Sequence, residues 1–174
     1  MSQKIHIPIN RKRILVQIIL LSLIGILILI GSFGIAEGLG INPLIPQIAG
    51  IVVCFFCFFT AAQKVKKRND VNGGLIISKE GINDLSSDIG LGLIKWKDII
   101  EVDEEASTTS KLIVIKVKRQ NDYVKQAKNS AVERLLKQNI RNFDTPVVID
   151  TKYLDQPFNE ILELSLNETK KRKK

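Results

Sequence analysis

From Ile14 to Ile35 the chain reads ILVQIILLSLIGILILIGSFGI without a charged side chain, and this run limits the fold more than any other feature. As a helix, roughly 22 residues at about 1.5 Å each extend about 33 Å. That is enough to cross a hydrocarbon core of about 30 Å. A second uncharged stretch, IPQIAGIVVCFFCFFTAA, occupies Ile45 to Ala62. Backbone amides in hydrocarbon must be satisfied within their own segment, so both stretches are predicted to be helices. The expected arrangement is a two-helix transmembrane hairpin at residues 14–35 and 45–62, joined by an extracytoplasmic loop at 36–44.

Charge placement orients the hairpin. Arg11, Lys12 and Arg13 precede the first span, and Lys64, Lys66, Lys67 and Arg68 follow the second, whereas Ala36–Leu44 carries only Glu37. The positive-inside rule then puts both termini in the cytoplasm. A secretory signal is the competing reading, since RKR resembles a charged n-region and Gly34-Ile35-Ala36 a small-residue cleavage site. The apolar core is too long for one. The CFFC run, Cys54 to Cys57, has the spacing of a redox pair or half a zinc site. It lies within an apolar helix and lacks the strand-to-helix context or further ligands those chemistries need. Apolar packing is the expectation, with reversible acylation near the cytosolic face as the alternative.

A basic linker at 63–73 ends in the turn formers RNDVNGG, and about 100 residues remain, enough for one core. LIIS (Leu75–Ser78), INDL (Ile82–Leu85), Leu91–Trp96, KLIVIKV (Lys111–Val117) and TPVVID (Thr145–Asp150) are short apolar runs between turn residues. They predict an antiparallel meander, with EEASTTS as a hairpin tip. The only tryptophan lies in GLIKWKDIIEV, Gly92–Val102. On one straight strand Asp98 would share a face with Ile94, Trp96, Ile100 and Val102, burying an unpaired carboxylate at several kcal/mol. A bend at Lys97–Ile99 removes the conflict. Ile94 and Trp96 then face the core from one strand and Ile100 and Val102 from the next, while Asp98 bonds backbone amides in the turn. Trp96 and Asp98 are thus expected to be structural, Trp96 as a core anchor. The acidic cluster Glu101, Asp103, Glu104 and Glu105 matches no calcium loop and reads as solvated charge.

Val124, Ala127, Ala131, Val132, Leu135, Leu136, Ile140 and Phe143 recur at three- and four-residue steps. They predict one amphipathic helix over Asp122–Phe143, capped by Asn121 or Asp122, with Lys125, Lys128, Arg134, Lys137 and Arg141 outward. QPFNEILELSL predicts a C-terminal helix that buries Phe158, Ile161 and Leu162, with Pro157 near its first position. IHIPI, Ile5–Ile9, alternates within the N-terminal cytoplasmic segment 1–13 and lies on the same side as the strands. It is predicted to be an added edge strand, because Pro8 is tolerated only on an edge. The domain spans 74–167 and is followed by a basic tail, 168–174.

GLIISKEGINDLSS, GLIKWKDIIEV and LIVIKVK together resemble the pattern of bacterial pleckstrin-homology-like (PH-like) membrane proteins. With TPVVIDTKYLDQPFNEIL as closing strand and helix, nearly the whole chain resembles bacterial proteins that carry two N-terminal transmembrane helices and a PH-like cytoplasmic domain. The resemblance implies an α+β membrane protein in a bacterial inner membrane. A transmembrane hairpin would be followed by a strongly bent antiparallel sheet or partial barrel, with an inserted amphipathic helix and a C-terminal helix. It implies no catalytic residue. Eukaryotic members of the fold bind phosphoinositides through the first strand loop; with Leu75 in the first strand, that loop here offers Lys79 beside Glu80, a poor phosphate cradle.

His6 is the sole histidine and lies in the N-terminal segment, which leaves the domain without Ser-His or Cys-His activation. No GxxxxGK[ST], HExxH or GxSxG motif occurs. An enzyme is therefore not expected, nor a cofactor or bound metal. A net charge of +8 and a pI of 9.5 raise nucleic acid as a partner. Much of the basic excess instead flanks the spans or ends the chain, where each residue near an anionic leaflet contributes about 1 kcal/mol. The expected function is that of a membrane-anchored binding or scaffold module engaging anionic lipid headgroups or a protein partner, a second copy of the chain included. Candidate membrane-surface contacts are Arg11, Lys12, Arg13, Lys64, Lys66, Lys67, Arg68, Lys170, Lys171, Arg172, Lys173 and Lys174. The alternative is an oligomeric pore or envelope-stress component with the domain as assembly element, in which Gly25, Gly31 and Gly34 permit close helix approach.

Overall fold

The computed structural model describes residues 4–39, 42, 44–87, 89, 91–106 and 110–172. The chain divides into two compact units: residues 10–71, and the segment up to Ile9 together with Asn72 onward.

The first unit is a pair of helices, α1 (Arg11–Leu39) and α2 (Leu44–Asn69), both long and apolar enough to cross a membrane. Asn10 starts α1 by accepting a hydrogen bond on Oδ1 from the Arg13 amide at 2.9 Å. The helices are antiparallel and meet through small side chains. A Cβ on Gly25 would lie 3.0 Å from the Cys57 Cβ, and one on Gly50 would lie 2.5 Å from the Ser32 Oγ. The Ser32 hydroxyl donates to its own helix at the Leu29 carbonyl, 2.6 Å, so its burial leaves no unmet donor. Farther along, Lys64 Nζ donates to Gln17 Oε1 at 2.7 Å. The outer faces are apolar and exposed, Phe55 and Phe56 most of all. Lys64, Lys66, Lys67 and Arg68, expected in a linker, form the last turns of α2 instead. Lys and Arg are good helix formers, and cations are favoured at the negative end of the helix dipole.

The second unit is built from antiparallel strands. A four-stranded sheet runs in chain order: β1 (Ile5–Pro8), β2 (Gly74–Ile77), β3 (Gly81–Asp84) and β4 (Gly92–Lys95). A single 3₁₀ turn, Trp96–Asp98, leads into a three-stranded sheet of β5 (Ile99–Ala106), β6 (Lys111–Val117) and β7 (Val147–Asp150). Between β6 and β7 lie α3 (Gln120–Val124) and α4 (Ser130–Phe143), and α5 (Phe158–Arg172) closes the chain. Ile7, Leu75, Ile77, Ile82, Ile94, Ile113, Ile115, Ile149 and Ile161 make one apolar core. The first sheet, the second sheet and α5 all contribute to it.

β1 is the end strand of its sheet, with Ile5 opposite Ile77 and Pro8 opposite Gly74. The proline nitrogen has no hydrogen to donate, but the Pro8 carbonyl accepts from the Asp155 amide at 2.9 Å. The neighbouring Ile9 bridges to Leu154. The strand is thus held on both sides.

Three further expectations fail in detail in this unit. The single helix over Asp122–Phe143 is two, because the Asn129 side chain accepts from the Val132 amide at 2.9 Å and starts α4 afresh. Neither Asn121 nor Asp122 caps α3, which has no side-chain cap. On α4 only Leu136 is fully buried, while Leu135 lies exposed. Second, a bulge between Ile99 and Glu101 shifts the register of β5, so that Ile99 and Val102 face the core and Ile100 is exposed. Third, the basic tail begins inside α5, whose last turn contains Lys170, Lys171 and Arg172. Lys173, Lys174 and residues 107–109 of the hairpin tip lie outside the described residues.

Candidate functional site

The corner between β4 and β5 holds a buried acid beside two lysines. Its 3₁₀ turn places Asp98 inward, only 7 % exposed. The backbone amides expected as its partners are replaced by two side chains delivered by the β6–α3 connection and α3. Arg119 Nη2 donates to Oδ1 at 3.0 Å, and the Tyr123 hydroxyl donates to Oδ2 at 3.4 Å. Burial pushes the Asp98 carboxyl up, but the Arg119 hydrogen bond and charge, Tyr123 and Lys97 outweigh it and hold the group below its ordinary value. Burial, and then the charge of Asp98, push the Tyr123 phenol up. A small cleft of about 350 Å³ opens beside this cluster, lined among others by Leu91, Asp98, Arg119 and Gln126. Its acid and base already satisfy one another, which makes the cluster a clamp between corner and helix.

Trp96 sits at the rim of the core, half-buried, rather than as its anchor. Its Nε1 donates to the Ser78 carbonyl at 2.9 Å, and the Arg172 guanidinium lies over its ring, 5.3 Å from the centroid. Arg172 Nη1 donates to the Lys79 carbonyl at 2.8 Å, and Nη2 reaches Glu168 Oε2 at 3.4 Å. Glu168 also pairs with Lys171 at 2.9 Å. Its carboxyl is held below the ordinary value first by Lys171 and, against the opposing effect of burial, by Arg172. These contacts tie the last turn of α5 to the β2–β3 turn, and between them opens a cleft of about 700 Å³. Lys79, Glu80, Leu93, Lys95, Trp96, Lys97 and Arg172 line it: four cations, one carboxylate and an apolar floor.

The remaining sequence candidates are scattered. Arg11, Lys12 and Arg13 form the first turn of α1, and Lys64 to Arg68 the last turns of α2. Cys54 and Cys57 are free thiols on the face of α2 that meets Gly25. Gly31 and Gly34 differ from Gly25, since a Cβ at either would meet nothing within 4 Å. Lys116 on β6 bridges Glu101 and Asp103 at 3.1 and 3.2 Å, so half of the acidic cluster is paired across the strands. Among the described residues no three His, Cys, Asp or Glu side chains gather as metal ligands would. Sequence reasoning missed the cleft. Its one local signal is Lys95 and Lys97 on either side of Trp96; Arg172 arrives from far along the chain.

No protein-family model matches this chain, and no curated protein and no solved structure matches it either. The functional reading rests on the geometry of the chain itself.

Proposed function

We propose that this chain is a membrane-anchored, non-enzymatic binding module. The helices α1 and α2 cross a bacterial inner membrane as a hairpin, and a PH-like domain on the cytoplasmic side engages anionic lipid headgroups or a protein partner. The observation that carries this reading is the pairing of β1 with β2. Pro8 lies opposite Gly74, yet β1 runs into α1 and β2 follows α2. The helix pair is an insertion between two neighbouring strands. Hydrogen-bonded strands cannot stand on opposite sides of a bilayer, so the segment between them must cross an even number of times, as two helices do. By the positive-inside rule the clusters Arg11–Arg13 and Lys64–Arg68 favour the cytoplasm as the shared side. The exposed apolar faces of both helices, far larger than a soluble surface tolerates, are satisfied by lipid.

The strand order supports the PH-like resemblance: four antiparallel strands, then three, then a closing helix whose Ile161 enters the core. On this count the first strand is Ile5–Pro8. The first strand loop is then the segment that carries α1 and α2, and Lys79-Glu80 belongs to the second. The position that takes phosphoinositide in eukaryotic relatives of the fold carries the anchor here.

The test uses the full chain in vesicles, because a fragment starting at Asn72 lacks β1. Amide exchange in the domain is expected to slow when anionic lipid replaces neutral lipid, and the effect to fade at high salt as charge is screened. Equal exchange in both lipids removes the headgroup version. Ion flux through these vesicles, lost on Gly31→Leu, would favour a pore instead.

A further inference from the structure

We infer that the cleft at the Trp96 corner is a binding site for a phosphate-bearing ligand, a phosphomonoester or a diphosphate. Three elements deliver its cations: Lys79 comes from the β2–β3 turn, Lys95 and Lys97 flank Trp96 at the corner, and Arg172 ends α5. Lys79, Lys95 and Lys97 form no ion pair among the described residues, whereas Lys116, Arg119, Lys137, Lys152 and Lys171 each hold a carboxylate. The cleft therefore gathers three lysines outside any ion pair on one concavity. Arg172 is fixed by the Lys79 carbonyl, Glu168 and the Trp96 ring, so one wall is ordered before any ligand arrives.

The charge balance selects the ligand class. Arg172 is already paired with Glu168, but Lys79, Lys95 and Lys97 against Glu80 still leave an excess that a single carboxylate would not offset. A phosphomonoester carries a charge of about −1.5 to −2 near neutral pH and three strong acceptor oxygens, which suits several ammonium donors at once. The volume of about 700 Å³ lies in the range of small-ligand pockets, roughly 300–1,000 Å³. Leu93 and the exposed part of the Trp96 ring leave room for an apolar portion beside the phosphate. The site is distinct from the first strand loop. It rests on the membrane-module reading only for the source of the phosphate, a lipid headgroup or a soluble molecule.

Trp96 is the sole tryptophan and reports on its own cleft. The full chain, solubilised in a non-ionic detergent, is titrated with sodium pyrophosphate and, separately, with short-chain phosphatidic acid. Sodium chloride of equal ionic strength and short-chain phosphatidylcholine serve as controls. A saturable change in Trp96 emission is expected with a phosphate probe and not with its control. The double variant Lys95→Gln/Lys97→Gln should weaken it by about tenfold or more, while Lys137→Gln on α4 leaves it unchanged. Response to pyrophosphate alone identifies a soluble ligand, and response to phosphatidic acid alone identifies a headgroup; either supports the site. An undiminished titration in the double variant, or no saturable change with either probe, overturns it. Alkaline-wash retention of the chain in cell membranes is measured in parallel. A chain that stays in the membrane but ignores phosphate refutes this site and spares the anchor, and the converse refutes the anchor and spares the site.

Discussion

Asp98 shows how one side chain shapes the domain. Its carboxylate is buried, but its partner Arg119 is 59 % exposed, so water screens the pair and the guanidinium is readily hydrated once the acid is gone. Asp98→Asn should therefore cost about 1–2 kcal/mol in chemical denaturation of the full chain. The folded carboxyl lies below its ordinary value of 3.8. Its contribution is complete above that value and is lost as the pH falls from there through the lower folded value, where the unfolded chain binds the proton first. Stability measured from pH 6 down to about 2 should fall less steeply in Asp98→Asn than in the parent; equal slopes would show that Asp98 is not the acid-sensitive group. Gly74 is the second informative residue. Its φ of +139° suits glycine, and a Cβ there would strike the Ile7 carbonyl. Gly74→Ala should cost about 1–3 kcal/mol in thermal denaturation, whereas Gly31→Ala, in open space, should change stability by no more than about 0.5 kcal/mol.

Among the elements, β1 is the one that makes the domain discontinuous in sequence. Ile7 is fully buried against Leu75 and its neighbours, so Ile7→Ala should cost about 2–5 kcal/mol. Deleting residues 2–9 should lower the thermal midpoint of the detergent-solubilised chain further still, and an unchanged midpoint would remove β1 from the core. This strand was legible, because IHIPI alternates and Pro8 restricts it to an edge. β2, β3, β4, β6 and β7 were legible as apolar runs bounded by turn residues, and β5 only as the strand beyond the bend at Lys97–Ile99. The break between α3 and α4 was not. The apolar period passes through Ala127 and Ala131 without interruption, and only the cap at Asn129 decides that the helix restarts. Asn129→Ala should cost about 1 kcal/mol, seen as reduced helicity on heating. The β5 bulge was hidden for a related reason: Ile99, Ile100 and Val102 are all apolar, and only the pairing with β6 determines which of them turns outward.

For the whole molecule, the sequence was most informative where a physical rule acts over one continuous stretch, as in the two apolar helices. It was least informative where distant parts converge. Arg172 meets the Lys79 carbonyl across a separation of 93 residues, and no local pattern announces that meeting or the cleft it borders. The same convergence underlies the central claim, that a helix hairpin is inserted between two paired strands, so that both ends of the hairpin return to one side of a membrane. The most direct test replaces Cys54 and Cys57 by alanine and introduces single cysteines by Lys4→Cys, Asn42→Cys and Asn167→Cys. Intact cells are then treated with a membrane-impermeant maleimide. Labelling at position 42 alone, with positions 4 and 167 reacting only after the membrane is opened, is the predicted result; labelling that separates position 4 from position 167 would contradict it.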